Sequence, residues 1–590
     1  MKKIIILFIA ISLFWSCDDF QEVNTDPNVS VPPSEFLFAK VLKDLHTYKG
    51  GGEWYHENHQ KMTWAQYLTQ GEANAGDINS ILPGSKYGTF YLTVMNHLDE
   101  VRLKISQLNE EEQKSKQKLA AAADVVQAFF ALKITDQYGD IPYSEAGKGR
   151  YEDILNPVYD TQEMVLNTLV DELDSAIVKL SENLTDEFNF GSSDFIYGGD
   201  SEKWIKLANA VKLRIATRLL SANEAKAKSI ITSVAADGRL FESNDDQFTW
   251  DIGGTYRGNS GADFEWKGIM WSAKPMVEFM KTTVDPRIRI FFELNGYTQE
   301  TIDAFAAPSD ISPAVDIAND NDVLYTTAAG EDILGYRYIG ASTHRQDPNV
   351  AIPGYYVYRD NPSGIGSDAS MVSKWNRRLI QTCTNTYAGM LAGSENDNAN
   401  YVDVMLSYAE VCFMMAEFSL KGYIGDDAET WYNKGIESSL GTYNMIGEKG
   451  NLAMAAGNTV YPYLPVTSTE VTAYKATPEV MFNGTDDLEK VYIQSYLNFF
   501  RLPSEGWILS MRTGYPKYGS SLLARAPIDN SEIPFPRRIP TPEPGDLNRV
   551  NWEASLQSQG FTALDENPNV LNSQRLWWDT NNPAIGSGGN

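Results

Sequence analysis

Between residues 160 and 222 apolar side chains recur at every third or fourth position, and this spacing decides what kind of scaffold the chain can build. Leu166, Leu169, Val170, Leu173, Ile177 and Leu180 fall on one stripe of a 3.6-residue helix, which Asp160 and Glu163 open as a cap and a capping box. Trp204, Ala208, Val211, Ile215 and Leu219 repeat the stripe; Lys206, Lys212, Arg214 and Arg218 fall off it, where they either snorkel into water or pair with acids. A third helix is expected over about 118–133, with Leu119, Ala122, Val126, Phe129 and Phe130, running into the turn DQYGDIPYSEA. A helix with one apolar stripe must bury it against another element, so stripes in succession predict packed helices.

The same periodicity returns after residue 400. Met405, Tyr408, Cys412, Met415 and Ser419 share a face, Gly422 to Asp426 interrupts it, and Ala428, Trp431, Tyr432, Gly435, Ile436 and Ser439 form the answering face. Two helices with small residues at their crossing resemble a tetratricopeptide-type unit. Between these helical stretches Gly, Pro, Asn and Asp punctuate the chain too often for long helices. The fold class expected is mainly α: a tetratricopeptide-like helical-pair scaffold with long irregular loop insertions. No linker divides the chain. Residues 17–590 therefore read as a single domain, with a helical scaffold over about 35–240 and 401–520 and a loop-rich ligand face over about 241–400.

Lys2 and Lys3 precede an apolar run from Ile4 to Trp15, the layout of an export signal over residues 1–16. Ser16 then stands directly before Cys17, with Asp18 and Asp19 after it, which resembles a bacterial lipobox with Phe14 in the place usually taken by Leu. Cys17 is thus the candidate lipidation site, the other reading being that it is simply where a cleaved leader ends. Two or more acyl chains hold a protein to a membrane stably where one does not. The acidic pair resembles a surface-export signal of Bacteroidetes lipoproteins.

Composition removes several classes of function. Asp and Glu number 78 against 49 Lys and Arg, a formal charge of -29 that repels phosphate backbones, so nucleic acid is a poor partner. Three cysteines build no disulfide framework, and no cysteine and histidine spacing suits zinc. His56 and His59 stand one helical turn apart, but two unrelated surface histidines explain them as well as a metal site does. The zinc-protease, nucleophile-elbow, P-loop and EF-hand patterns are missing, and SKQK at 115–118 matches SxxK in letters only, within a charged helix. Carboxylate pairs for glycoside hydrolysis have no specificity among 78 acids, because only their separation across a pocket identifies them. No catalytic residue, cofactor or metal is assigned. Cys383 and Cys412 are expected to be inert thiols.

A series of segments carries a resemblance: NTDPN at 24–28, TDQYGDIPYSEA at 135–146, the YAEVCFMMAE helix with its partner through WYNKGIESSL, EGWILSMRTGYP at 505–516 and RRIPTPE at 537–543. Together they resemble the SusD/RagB-type outer-membrane nutrient-binding lipoproteins of Bacteroidetes, in their second SusD-like, starch-binding, outer-membrane-associating branch. Ile508 to Met511 and Thr541 depart from the usual pattern without touching the fold. The resemblance implies a surface-exposed, lipid-anchored outer-membrane protein that binds an oligosaccharide or peptide and docks on a SusC-like TonB-dependent transporter, with no catalysis of its own. A surface hydrolase acting on glycan or peptide is the enzyme alternative, and an adhesive surface protein is a third.

Sugar recognition needs flat apolar faces ringed by amide and carboxylate groups. Trp250, Tyr256 and Trp266 lie in a glycine-rich stretch with Asp251, Arg257, Asn259 and Asp263 nearby, and Tyr355, Tyr356 and Tyr358 follow between Pro and Gly. These rings are either ligand platforms or loop core. Asp77, Asn79 and Tyr87 sit in GEANAGDINSILPGSKYG, near where relatives place part of their site. Replacing Cys17 with Ala is expected to abolish acylation and release the protein from the membrane fraction; labelling with radioactive palmitate, followed by fractionation, checks both.

Overall fold

The computed structural model describes residues 32–45, 61–70, 85–251, 270–295, 320–340, 373–376, 379, 402–452, 454–456, 459–526, 535–561 and 568–589. Helices dominate. In chain order the principal ones are α1 (Ser34–Asp44), α2 (Asn96–Ser106), α3 (Gln117–Tyr138), α4 (Gln162–Ser181), α5 (Ser201–Ala222), α6 (Glu224–Asp237), α7 (Tyr408–Leu420), α8 (Ala428–Lys449), α9 (Asp487–Asn498) and α10 (Pro503–Thr513). They pack as neighbours in sequence: α1 on α2, α3 on α4, α4 on α5, α5 on α6, and α7 on α8, with α9 against α7.

Local chemistry explains the boundaries. Asp200 opens α5 by accepting from the backbone N–H groups of Glu202 and Lys203, and Asp427 opens α8 by accepting from Thr430. The start of α4 differs from expectation: Thr161, not Asp160, accepts from Met164 N. Asp160 is occupied elsewhere. Its carboxylate accepts from the backbone N–H groups of Tyr143 and Ser144 and from the Ser144 hydroxyl, holding the turn after α3. The apolar stripe of α5 is buried as expected, from Trp204 to Leu219. Helix α3 runs five residues beyond its expected end and is buried on nearly every side, because it lies at the centre of the stack. Met405 does not share the α7 face; it stands in a strand, and Ser407 caps the helix that follows. The expected close crossing of α7 and α8 is present at Gly435, where any Cβ would run into the Phe413 ring.

Strands serve as staples. Strand β1 (Leu68–Gln70) pairs antiparallel with β3 (Met270–Ser272), and β2 (Phe248–Trp250) with β6 (Asp403–Leu406). A hairpin of β4 (Val323–Thr326) and β5 (Asp332–Leu334) lies between them in sequence. The β2–β6 pair joins the end of the first helical block to the start of the second.

Arg214 and Arg218, one turn apart on α5, do not snorkel. They are buried at the junction of four helices. Arg214 donates from Nε and Nη2 to the two carboxylate oxygens of Glu410 on α7, both at 2.7 Å. Arg218 donates to Asp136 on α3 at 3.0 Å and to Glu505 on α10 at 2.6 Å, and Arg214 Nη1 lies 3.5 Å from Glu505. Lys206 and Lys212 of the same helix pair with Asp246 and Asp174 at 3.0 and 2.5 Å. Burial works against the charge on Glu505, but Arg214 and Arg218 overcome it and hold its carboxyl down at about 2. Burial pushes Asp136 up to about 6 despite Arg218.

Removing one member of such a pair leaves a buried charge uncompensated, so Arg218→Ala is expected to cost about 3–5 kcal/mol in denaturant unfolding. The pKa of Glu505 is lower folded than unfolded, so its contribution is complete above the ordinary value of 4.5 and is lost as pH falls towards about 2. Glu505→Gln should flatten that acid limb in a plot of melting temperature against pH.

Candidate functional site

One cleft among the described residues is built from three helices and a turn. Its volume is about 560 Å³, within the range of small-ligand pockets. Helix α2 contributes Asp99, Arg102 and Ser106; α3 contributes Asp124 and Gln127; α4 contributes Glu172, Ser175 and Lys179; and the segment after α3 contributes Tyr143, Ser144, Lys148, Tyr151 and Glu152. Helical spacing explains the assembly. Asp99 and Arg102, Asp124 and Gln127, and Glu172, Ser175 and Lys179 stand three, four or seven residues apart within each set, so each set shares a helix face. The opposite faces carry Leu98, Val101 and Ile105 on α2 and Leu169, Val170 and Leu173 on α4, all buried.

The floor is a connected polar network. Arg102 donates from Nη1 to Asp124 at 3.0 Å and from Nη2 to Asp99 and Gln127. Gln127 Nε2 approaches the Tyr143 hydroxyl at 3.5 Å, and that hydroxyl donates to Glu172 Oε2 at 2.6 Å. Lys179 stands 3.6 Å from Asp124. At the rim Tyr151 donates to Glu100, and Lys148 lies 3.6 Å from Glu152. Gly147 closes the turn over Asp99: its φ of +77° is left-handed, and a side chain there would strike the Asp99 carboxylate.

Burial raises the pKa of Asp99 and Asp124 against the lowering effect of Arg102, and that of Glu172 against the hydrogen bond from Tyr143 and, behind it, Arg102. For Arg102 itself burial acts downward, and the charges of Asp124 and Asp99 more than reverse it. Tyr143 is pushed well up by burial and then by Glu172. The arrangement offers fixed donors and acceptors around a half-open space with the exposed Tyr151 ring at its edge. Such a surface can hold a polar, hydroxylated ligand by hydrogen bonds and ring stacking.

Of the residues expected to meet a ligand, the structure places two. Trp250 is wholly buried on β2, opposite Asp403 of β6, and packs with the main core; it cannot stack on a ligand, because the junction of the two helical blocks takes its ring. Tyr87 is half-buried, its ring centroid 5.0 Å from Tyr91 and 5.1 Å from Tyr138, and it does not line the cleft. Its neighbour Tyr91 donates to the Pro142 carbonyl, one residue before Tyr143. Asp77, Asn79, Tyr256, Trp266, Tyr355, Tyr356, Tyr358 and Cys17 lie outside the described residues, as do His56, His59 and Cys383. Cys412 is buried, and burial pushes its thiol up to about 12. Among the described residues no group of three or more His, Cys, Asp and Glu is placed to hold a metal, and no helix is long and apolar enough to cross a membrane. Sequence reasoning passed over the cleft. Its one legible trace is Asp124 and Gln127, two polar residues inside an otherwise apolar run.

A family model described as starch-binding, associating with the outer membrane, the SusD-like type, matches residues 26–334 and 337–542. A SusD homologue from Bacteroides fragilis NCTC 9343 superposes with a TM-score of 0.65 at 20% identity, covering 93% of this chain and 100% of that one. A chitin-binding SusD homologue from Flavobacterium johnsoniae gives 0.61 at 20% identity, covering 93% and 99%. A third structure, titled a chitin-binding protein, gives 0.64 at 20% identity, covering 92% and 100%. At such identities these likenesses speak to the fold. No curated protein matches the chain.

Trp250→Ala removes a fully enclosed ring and is expected to destabilise the protein by about 3–5 kcal/mol. Denaturant unfolding followed by circular dichroism checks this; an unchanged midpoint would return Trp250 to the ligand-facing candidates.

Proposed function

We propose a role that proceeds from one fact: the chain belongs to the SusD-like family, described as starch-binding and associating with the outer membrane. The protein captures a nutrient outside the cell, an oligosaccharide in preference to a peptide, and delivers it to a SusC-like TonB-dependent transporter without transforming it. Acyl chains on Cys17 hold it on the exposed side of the outer membrane. The observation that carries the reading is the family match, which runs through nearly all of the sequence after the leader.

Three further features support it. The helical-pair scaffold matches solved SusD homologues along their full length, and two of the similar structures are titled as chitin-binding. The cleft supplies the fixed hydrogen-bonding groups that a hydroxylated ligand requires. The irregular segment over about 241–400 supplies Tyr256, Trp266, Tyr355, Tyr356 and Tyr358 as stacking rings, with Asp77 and Asn79 as partners for hydroxyls. A regular frame confers rigidity, and preformed polar and aromatic surfaces limit the entropy lost on binding.

Isothermal titration of the mature protein against maltooligosaccharides, chitooligosaccharides and a peptide pool is expected to give saturable binding to a glycan and no release of reducing ends. Extraction in gentle detergent is expected to copurify a large outer-membrane barrel. Trp266→Ala and Tyr355→Ala should each weaken glycan binding by about fivefold or more while leaving the melting temperature within about a degree, since a stacked ring contributes about 0.5–1.5 kcal/mol beyond its buried area. Turnover of the glycan would overturn the reading, and binding of peptides alone would replace the oligosaccharide by a peptide as the nutrient captured.

A further inference from the structure

Charges in the cleft do not balance. Each cation that lines it has an acid of its own: Arg102 is engaged by Asp99 and Asp124, Lys179 lies 3.6 Å from Asp124, and Lys148 lies 3.6 Å from Glu152. Glu172 is the exception. Its Oε2 accepts from the Tyr143 hydroxyl at 2.6 Å, its Oε1 accepts no hydrogen bond, and no lysine or arginine stands within 4 Å of it among the described residues. The carboxylate is half-buried and faces the cleft from α4. Tyr143 fixes its orientation, so the free oxygen is held in place.

A half-buried carboxylate bonded only to a neutral hydroxyl, with the nearest guanidinium committed to Asp99 and Asp124, keeps an oxygen open to a stronger donor. A cationic donor supplies a charge-assisted hydrogen bond, roughly twice as strong as a neutral one. The other cleft groups cannot serve an anion, because every guanidinium and ammonium is already turned to an internal acid. A ligand bearing carboxylate or sulfate would meet Asp99, Asp124, Glu152 and Glu172 without a free cation to receive it. Ser175, one turn along α4 from Glu172, and the exposed Tyr151 ring complete a surface for a polar ring carrying a charge at one point.

We propose that the cleft takes a ligand carrying a primary ammonium among hydroxyl or amide groups, and that Glu172 Oε1 receives that ammonium. The inference rests on the nutrient-binding role above and sharpens it. One chemistry has two sources: the free amine of a deacetylated hexosamine unit, or the amine of a short peptide.

The test is titration of the full mature chain with four probes: a glucosamine tetramer, its fully N-acetylated counterpart, a lysine-containing tripeptide, and the same tripeptide with both amines acetylated. At least one amine-bearing probe is expected to bind about tenfold more tightly than its acetylated partner, the effect of one charge-assisted hydrogen bond. Whichever pair shows the preference identifies the source. Glu172→Gln is expected to erase the preference while the melting temperature stays within about two degrees of the parent. Ser175→Trp, which fills the cleft without touching the ion network, should abolish binding of the preferred probe. Equal affinity for amine and acetylated forms, or a preference that survives Glu172→Gln, overturns the proposal. A neutral oligosaccharide that still binds in that case leaves the nutrient-binding role standing, so the two failures are distinguishable.

Discussion

Two arginines on one helix hold this protein together. Arg214 and Arg218 of α5 reach Asp136 of α3, Glu410 of α7 and Glu505 of α10, segments far apart in sequence, and a second fork, Arg512 of α10 on Glu417 of α7, fixes the same junction. Apolar burial drives helices together without dictating their rotation, since a stripe of leucines and alanines packs acceptably at several registers. A bidentate arginine does dictate it: the fork matches a carboxylate in one orientation only. The cost is desolvation of five charged groups, which a hydrophobic substitute would avoid. What the network adds is a single arrangement of four helices, and the two helical blocks join as one body around it.

That arrangement has a consequence on the outside. Helices α2 and α4 each bury one face in the core, α3 is enclosed on nearly every side, and the polar residues on their facing sides converge beside the turn over residues 139–152. Polar residues on those faces cannot all reach water, so they satisfy one another through the Arg102 network. The cleft is therefore as rigid as the scaffold beneath it. Tyr143 and Asp160 bind the turn to α4 from two sides, one through Glu172 and one through backbone N–H groups. A recognition surface made this way needs no large rearrangement to receive a ligand.

Periodicity made the helices legible, and it did so for a physical reason: α4, α5, α7 and α8 each have a core side. Where a helix is enclosed on nearly all sides, as α3 is, the pattern blurs and its end at Tyr138 could not be read. Competition for a side chain misplaced the start of α4, because Asp160 satisfies a distant turn while Thr161 caps. Trp250 misled for a related reason: an aromatic beside glycines has the same sequence appearance whether it faces a ligand or pins a junction. The charges of Arg214 and Arg218 were visible, yet their hydrogen-bond partners lie up to 287 residues away, beyond the reach of any local rule. The cleft is the extreme case, with contributions from four segments, each of which looks like an ordinary solvated helix face or turn.

The pairing of β2 with β6 sets Phe248 opposite Leu406, and the chain between them is tied back to the frame again where β3 pairs with β1 and where Arg287 and Arg289 reach Tyr474 and Glu470. Closing a long excursion grows costlier only as the logarithm of its length, about 0.6 kcal/mol for each doubling. Lengthening a stretch between two ties thus taxes the frame very little. Selection can therefore lengthen or shorten the stretches between such ties while the ties themselves keep the ends anchored.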